Sequence, residues 1–390
     1  MIRGRNGETN MDVGSKVRGS TLVRAYESYA NPRLSDEGVR YLTPEHRDQI
    51  RRDSEIVVWD EYARPKNVPG VGRIRRIGIQ TAQGYTYDTL VGIPETPETA
   101  VPVIGTTAWT TSLRGHNERT VRNLMRAGNY VFYVGHEGSY VADEPPEPHS
   151  PISLANSAGA VLNFSYHMGL ELRKAGYDVD ETLRLGLGES RGAMVGEGLD
   201  ALAADFAQDI LFIDEVAPCL PEKLDSMYDV MKLAEQVCRE PNEMRRLVGK
   251  LTLRQLWYYP KTIDIRRDCL RHQVIIGGAL FSGETGALSR HVPGNTLKHI
   301  SVFDNDFASM THVWESTYGD NPFVRLTPLT GSHMTIADPE TLRYVLARNK
   351  VAQACINTSK SFTPENVFDP AHELALRQFP ISPEDMRLTA

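Results

Sequence analysis

The chain has 390 residues, 41% hydrophobic and 24% charged, which is the makeup of a soluble globular protein with ample length for a sizeable core. Its formal net charge of −7 argues against a general electrostatic grip on nucleic acid, which needs a basic footprint. No apolar run approaches the ~20 residues of a membrane span, and the opening stretch "MIRGRNGETNMDVGSKVRGS" lacks the apolar h-region of a secretory signal. The four cysteines, Cys219, Cys238, Cys269 and Cys355, show no CxxC pair or metal-ligand spacing. They read as small buried apolar residues, and a cytoplasmic, reducing compartment is the expectation.

Residues 1–53 form a polar arm, with a short helix expected within "SDEGVRYLTPEHRDQIRRDSE". From Ile56 the texture changes. "EIVVWDEYA" and "RIRRIGIQTAQGYTYDTLVGIPE" are rich in β-branched and aromatic residues and read as antiparallel strands turning at "AQG". "VPVIGTTAW" is a near-continuous apolar run, as in a strand buried on both faces. "NERTVRNLMRAGN" has helical spacing with Gly128 as its stop, and "YVFYVGHEGS" is another buried strand. A long helix in "SPISLANSAGAVLNFSYHMGLELRKAGYD" leads to the strand "TLRLGLGES", the helix "RGAMVGEGLDALAADFAQ" and the strand "DILFIDEVAPC". Alternation of strand and helix predicts a mostly parallel central sheet flanked by helices, an α/β protein.

That rhythm breaks over residues 221–293, which read as a charged, helix-rich insertion over the sheet. It resumes with the strand "KHISVFDND", the helix "MTHVWESTYG", the strand "FVRLTPLTGSH" and the helix "DPETLRYVLARNKVAQAC". The expected organisation is therefore an arm (1–53), a core (54–220 and 294–356), a cap or lid (221–293) and a surface tail (357–390).

"GESRG" (188–192) holds Ser190 between Gly188 and Gly192. GxSxG alone is a weak pattern, and a turn built of small residues would also explain it. Its setting is stronger, because it follows a strand and opens a helix. A serine at the tip of so tight a bend leaves no room for side chains two residues before or after. The helix N-terminus behind it favours developing negative charge. A serine hydroxyl still needs a base. Of the eleven histidines, His333 lies on the loop after the last strand, at the carboxyl edge that carries Ser190. His372 lies in the tail and His312 inside a helix-like segment. A carboxylate must then orient the imidazole. Asp306 is favoured, one step into the loop after "KHISVFDND" where its side chain can turn inward; Asp304 is the alternative.

Strand–"GESRG"–helix, then strand–"DND", then strand–"GSH", in that order, resembles the α/β-hydrolase fold superfamily over roughly residues 54–355. The resemblance implies a Ser190–His333–Asp306 triad and puts a cap where the 221–293 insertion lies. It also implies an oxyanion hole of backbone N–H groups, one from Arg191 and one from the turn after "VPVIGTTAW", near Trp109 or Thr110. The His-Gly common at that turn is replaced by "TTAWTTSLRG", a departure from the lipases with a glycine-rich loop. Trp109 is a candidate wall of an acyl pocket, or a core tryptophan. Trp257 and Tyr258 are candidate lid aromatics, or one packed face of a helix.

The expected activity is that of an esterase- or lipase-like serine hydrolase on a small, partly apolar acyl or ester substrate. An acyltransferase, a peptidase, a C–C bond hydrolase and a non-catalytic binding protein share the architecture. The chemistry requires no metal and no organic cofactor. "HEGSYVADEPPEPH" gathers acids and histidines, but its three prolines and unmatched spacing argue against a closed metal site. His136 there is a candidate for lining the pocket. "GLGESRG" is one residue out of step for a dinucleotide fingerprint, and there is no P-loop. Nothing here fixes oligomeric state, and a homo-oligomer is left open.

Overall fold

The computed structural model describes residues 44–106, 116–137, 154–217, 296–303, 321–329 and 339–377. Nine strands form one sheet: β1 (Ile56–Val68), β2 (Gly72–Thr81), β3 (Thr86–Pro94), β4 (Val103–Thr106), β5 (Val131–Glu137), β6 (Leu183–Glu189), β7 (Asp209–Val216), β8 (Leu297–Phe303) and β9 (Val324–Leu329). Their spatial order is β1-β2-β3-β5-β4-β6-β7-β8-β9. The first three strands and the β3–β5 junction are antiparallel, and every pairing from β5 through β4 to β9 is parallel.

The expected hairpin is present. Thr81 N donates to Tyr85 O at 2.9 Å, Gly84 N donates to Thr81 O at 2.8 Å, and Gly84 supplies the positive φ that the turn needs. The outer strand β1 is blunted as an edge. It carries Pro65, is rich in charge and is bulged around Ala63.

Helices cover both faces. On one side lie α1 (Pro44–Asp53), α3 (Leu154–Lys174) and α4 (Arg191–Leu202). They pack Ile50, Phe164, Val195 and Leu199 against Ile104, Phe132, Ile213 and Ile300. On the other lie α2 (His116–Arg126), α5 (Pro339–Asn357) and α6 (Pro364–Leu376). These bring Val121, Met125, Leu346 and Phe368 onto Val103, Val131, Leu185 and Phe212. Strand side chains alternate between the two cores, which is why the central strands read as continuous apolar runs.

Arg184 in β6 is a buried exception. Its guanidinium donates to Ser165 Oγ in α3 (2.5 Å) and to the carbonyls of Asp180 (3.0 Å) and Glu181 (3.0 Å). Burial draws its pKa down to about 10, so it remains a cation at neutral pH.

The C-terminal stretch holds more than the surface tail expected. After Asn357 the chain turns at Ser359 and forms α6, which buries Val367, Phe368, Ala371 and Ala375. Pro364 in the first turn is compatible with a helix start, but Pro370 inside the helix obscures it at the level of pattern. The arm before residue 44, the 221–293 insertion and the helix expected in "MTHVWESTYG" lie outside the described residues.

Candidate active site

β4 and β6 lie side by side, yet the chain leaves them in opposite directions. From β4 it passes through α2 to β5 on one side, and from β6 through α4 to β7 on the other. Such a reversal opens a crevice beyond the carboxyl ends of the two strands, the usual place for a ligand in an open α/β sheet. Ser190 is the residue that follows β6 there.

Its backbone is unusual. Ser190 has φ 55° and ψ −118°, a combination costly for any residue with a Cβ. Ala207, another residue with positive φ, sits in the ordinary left-handed region at φ 53° and ψ 40°. An ordinary N-cap serine is extended and accepts an N–H of the first helical turn on its side chain. Ser190 occupies the cap position of α4 but is not extended, and its side chain makes no capping bond. The bend is instead held by the main chain. Ser190 N donates to Val216 O at the end of β7 (2.8 Å), and Ala193 N donates to Ser190 O (3.0 Å).

The flanking glycines are steric requirements. A Cβ on Gly188 would lie 2.4 Å from Gly192 O and 2.6 Å from Ala193 Cα. One on Gly192 would lie 2.3 Å from Thr106 O and 2.6 Å from Thr106 Oγ1. The first clash is with the helix behind and the second with the neighbouring strand. Ser190 is buried at this junction, as is Glu189 before it. Burial, with the Glu189 charge adding to it, pushes the Tyr133 phenol well above its ordinary pKa.

Arg191 opens α4, so its backbone N–H belongs to the unbonded first turn, where the helix dipole favours an anion. β8 ends at Phe303, one residue before Asp304, and β9 ends at Leu329, four before His333. Both strands run parallel to β6, so their carboxyl ends lie on the edge that bears Ser190. Asp304, Asp306, His333, Trp109, Thr110, Trp257 and Tyr258 themselves lie outside the described residues, as does the side chain of His136 at the end of β5. His372 is an exposed residue of α6, stacked on Tyr344 at 6.2 Å. Among the described residues no group of three His, Cys, Asp or Glu side chains could hold a metal, and no helix is long and apolar enough to cross a membrane.

A polar cluster that pattern reasoning missed lies beneath these strand ends, on the α5 face. Arg348 of α5 donates two bonds to Asp214 of β7, at 2.7 Å and 3.0 Å. His299 of β8 places Nδ1 3.5 Å from Asp214 Oδ1 and Nε2 2.8 Å from Thr327 Oγ1 of β9. Arg348 also donates to Ser301 Oγ (3.3 Å). Burial, reinforced by the Arg348 cation, pulls His299 down to about 4, so the imidazole is neutral. Asp214 is held below the ordinary carboxylate range despite its burial, by Arg348 first and His299 second. No local pattern announces the cluster, because its members come from four separate elements.

No family model matches the chain, and no curated protein matches it. Among solved structures it is similar to acetyl xylan esterase 1 from Thermoanaerobacterium sp. JW/SL YS485, at 12% identity and a TM-score of 0.42, covering 74% of this chain and 87% of that one. An acetyl xylan esterase from Paenibacillus sp. R4 gives 10% identity and a TM-score of 0.43 over 78% and 92% of the two chains. The rice cell wall degrading esterase LipA from Xanthomonas oryzae gives 10% and 0.43 over 81% and 99%. These likenesses are remote, and the reading of the chain rests on its own strand order and bend. A mostly parallel sheet with the order β3-β5-β4-β6-β7-β8-β9, helices on both faces and a strained serine between β6 and α4 make this an α/β-hydrolase-type fold.

Proposed function

We propose that the protein is a serine hydrolase that cleaves an ester or related acyl bond through an acyl-enzyme. The observation that carries this reading is the backbone of Ser190, strained at the topological switch point and backed by a helix N-terminus. In the proposed reaction Ser190 Oγ attacks the acyl carbonyl carbon while His333 takes the hydroxyl proton. Asp306, or Asp304, orients the imidazole and stabilises its charged form. The carbonyl oxygen, now negative, is held by the N–H of Arg191 and one from the Trp109–Thr110 turn. Collapse of the tetrahedral species breaks the bond to the leaving group, which receives the proton from His333. Water then attacks the acyl-enzyme with His333 again as base, releasing the acid and restoring Ser190.

Labelling with a fluorophosphonate followed by intact-mass and peptide mass spectrometry tests this. One adduct per chain at Ser190 is expected, absent from Ser190→Ala and strongly reduced in His333→Ala. Folded protein that takes up no adduct, or takes it elsewhere, overturns the reading.

A further inference from the structure

We infer that Thr106 is a positioning residue that holds the bend carrying Ser190 and the Arg191 N–H against the end of β4; this rests on the hydrolase reading above. Thr106 is the last residue of β4 and is buried. In the parallel ladder it lies opposite Gly188, two residues before Ser190. Its hydroxyl reaches across to the other side of the elbow and donates to Gly192 O, two residues after Ser190, at 2.7 Å. The same residue's carbonyl is what forbids a Cβ on Gly192. One threonine therefore grips both glycines of "GESRG".

That bond is not needed to satisfy the helix, since a first-turn carbonyl is already the acceptor for the N–H four residues on. Valine would fill the same strand position without burying a hydroxyl. What the hydroxyl adds is a fixed distance. The peptide N–H of Arg191 lies in the chain between Ser190 and the anchored Gly192 carbonyl, so the bond ties both to the end of β4. A hydroxyl and an oxyanion donor carried on one bend act together only if the bend is held still, and a displacement of about 1 Å costs on the order of 100-fold in rate.

The test compares Thr106→Val, which keeps shape and loses the donor, with Thr106→Ser, which keeps the donor. Hydrolysis of p-nitrophenyl acetate, the rate of fluorophosphonate labelling and thermal unfolding are measured on the full chain. Thr106→Val is expected to lower kcat by roughly 10- to 100-fold with KM within about threefold, and to slow labelling in parallel. Thr106→Ser is expected to stay within about threefold of wild type in kcat. An unchanged kcat in Thr106→Val overturns the inference, and so does a Thr106→Ser variant as impaired as Thr106→Val, which would show that keeping the hydroxyl does not keep the activity. Should Thr106→Val not fold, Thr106→Ser against Thr106→Ala decides, with equal kcat overturning the role of the hydroxyl. Wild-type protein that is never labelled at Ser190 overturns the hydrolase reading itself. Normal labelling of both wild type and Thr106→Val overturns only the positioning role.

Discussion

Two hydroxyls near the carboxyl half of this sheet sit in opposite circumstances. Thr327 lies 2.8 Å from His299 Nε2, and His299 Nδ1 lies 3.5 Å from Asp214, so hydroxyl, imidazole and carboxylate stand in that spatial order, although Nδ1 makes no hydrogen bond. Yet Asp214 is committed to two bonds from Arg348, the imidazole is buried and pulled down to about 4, and Thr327 sits in a regular parallel strand. A base so weakened is a poor acceptor for a hydroxyl proton. Ser190 has the complementary endowment: a strained bend, glycines cleared on both sides and a helix N-terminus behind it. Residue types in the right spatial order do not make a nucleophile. The backbone that presents the hydroxyl, and the dipoles aimed at the charge that develops, do more to make one.

The largest effect expected from this contrast is on turnover. Ser190→Ala should lower ester hydrolysis by at least ~10⁴-fold. Thr327→Val should leave it within about threefold, because the Thr327 contact is structural. A comparable loss in both, measured on folded protein, would break the distinction. The next effect is on stability. Removing the Arg348 side chain strands Asp214 as a buried carboxylate, and Arg348→Ala should cost about 3–5 kcal/mol in urea unfolding. Replacing Arg348 and Asp214 together by apolar residues should recover much of that loss. A near-neutral Arg348→Ala would mean that water reaches the cluster.

The contrast also shows what a linear sequence can carry. The elbow was legible because all its requirements fall within five consecutive residues: Gly188, Ser190 and Gly192 answer to clashes set by the adjoining strand and helix. The order of elements was legible because the central strands are mostly apolar on both faces, and the "AQG" turn and Gly128 mark their own positions. The Asp214–His299–Arg348 cluster was not, because 134 residues separate Arg348 from its carboxylate. Within their own strands Asp214 and His299 look like polar interruptions of an apolar run. Helix α6 was hidden for a different reason: Pro370 and the surrounding charges mask an apolar face that only packing on α5 reveals.

The smallest effect, and the sharpest, is on pH dependence. His299 ordinarily titrates at 6.5 and is drawn to about 4 in the fold, by burial first and the Arg348 cation second, with Asp214 opposing and Arg325 adding a little. The unfolded chain therefore binds a proton that the folded chain refuses between those two values. Stability from the neutral imidazole is complete above pH 6.5 and is lost as pH falls toward 4. Between pH 7 and pH 5 this one group should cost on the order of 2 kcal/mol. Asp214 contributes with the same sign but lower down, because its pKa is lowered from 3.8. Urea unfolding of wild type and His299→Gln at pH 7 and pH 5 isolates the histidine. The variant should be less stable at pH 7, where it lacks the contact to Thr327, but its stability should fall less on acidification. Parallel losses in the two proteins would show that His299 titrates as it does in the unfolded chain. The cluster would then be an open, hydrated site, and the contrast with the elbow would rest on backbone geometry alone.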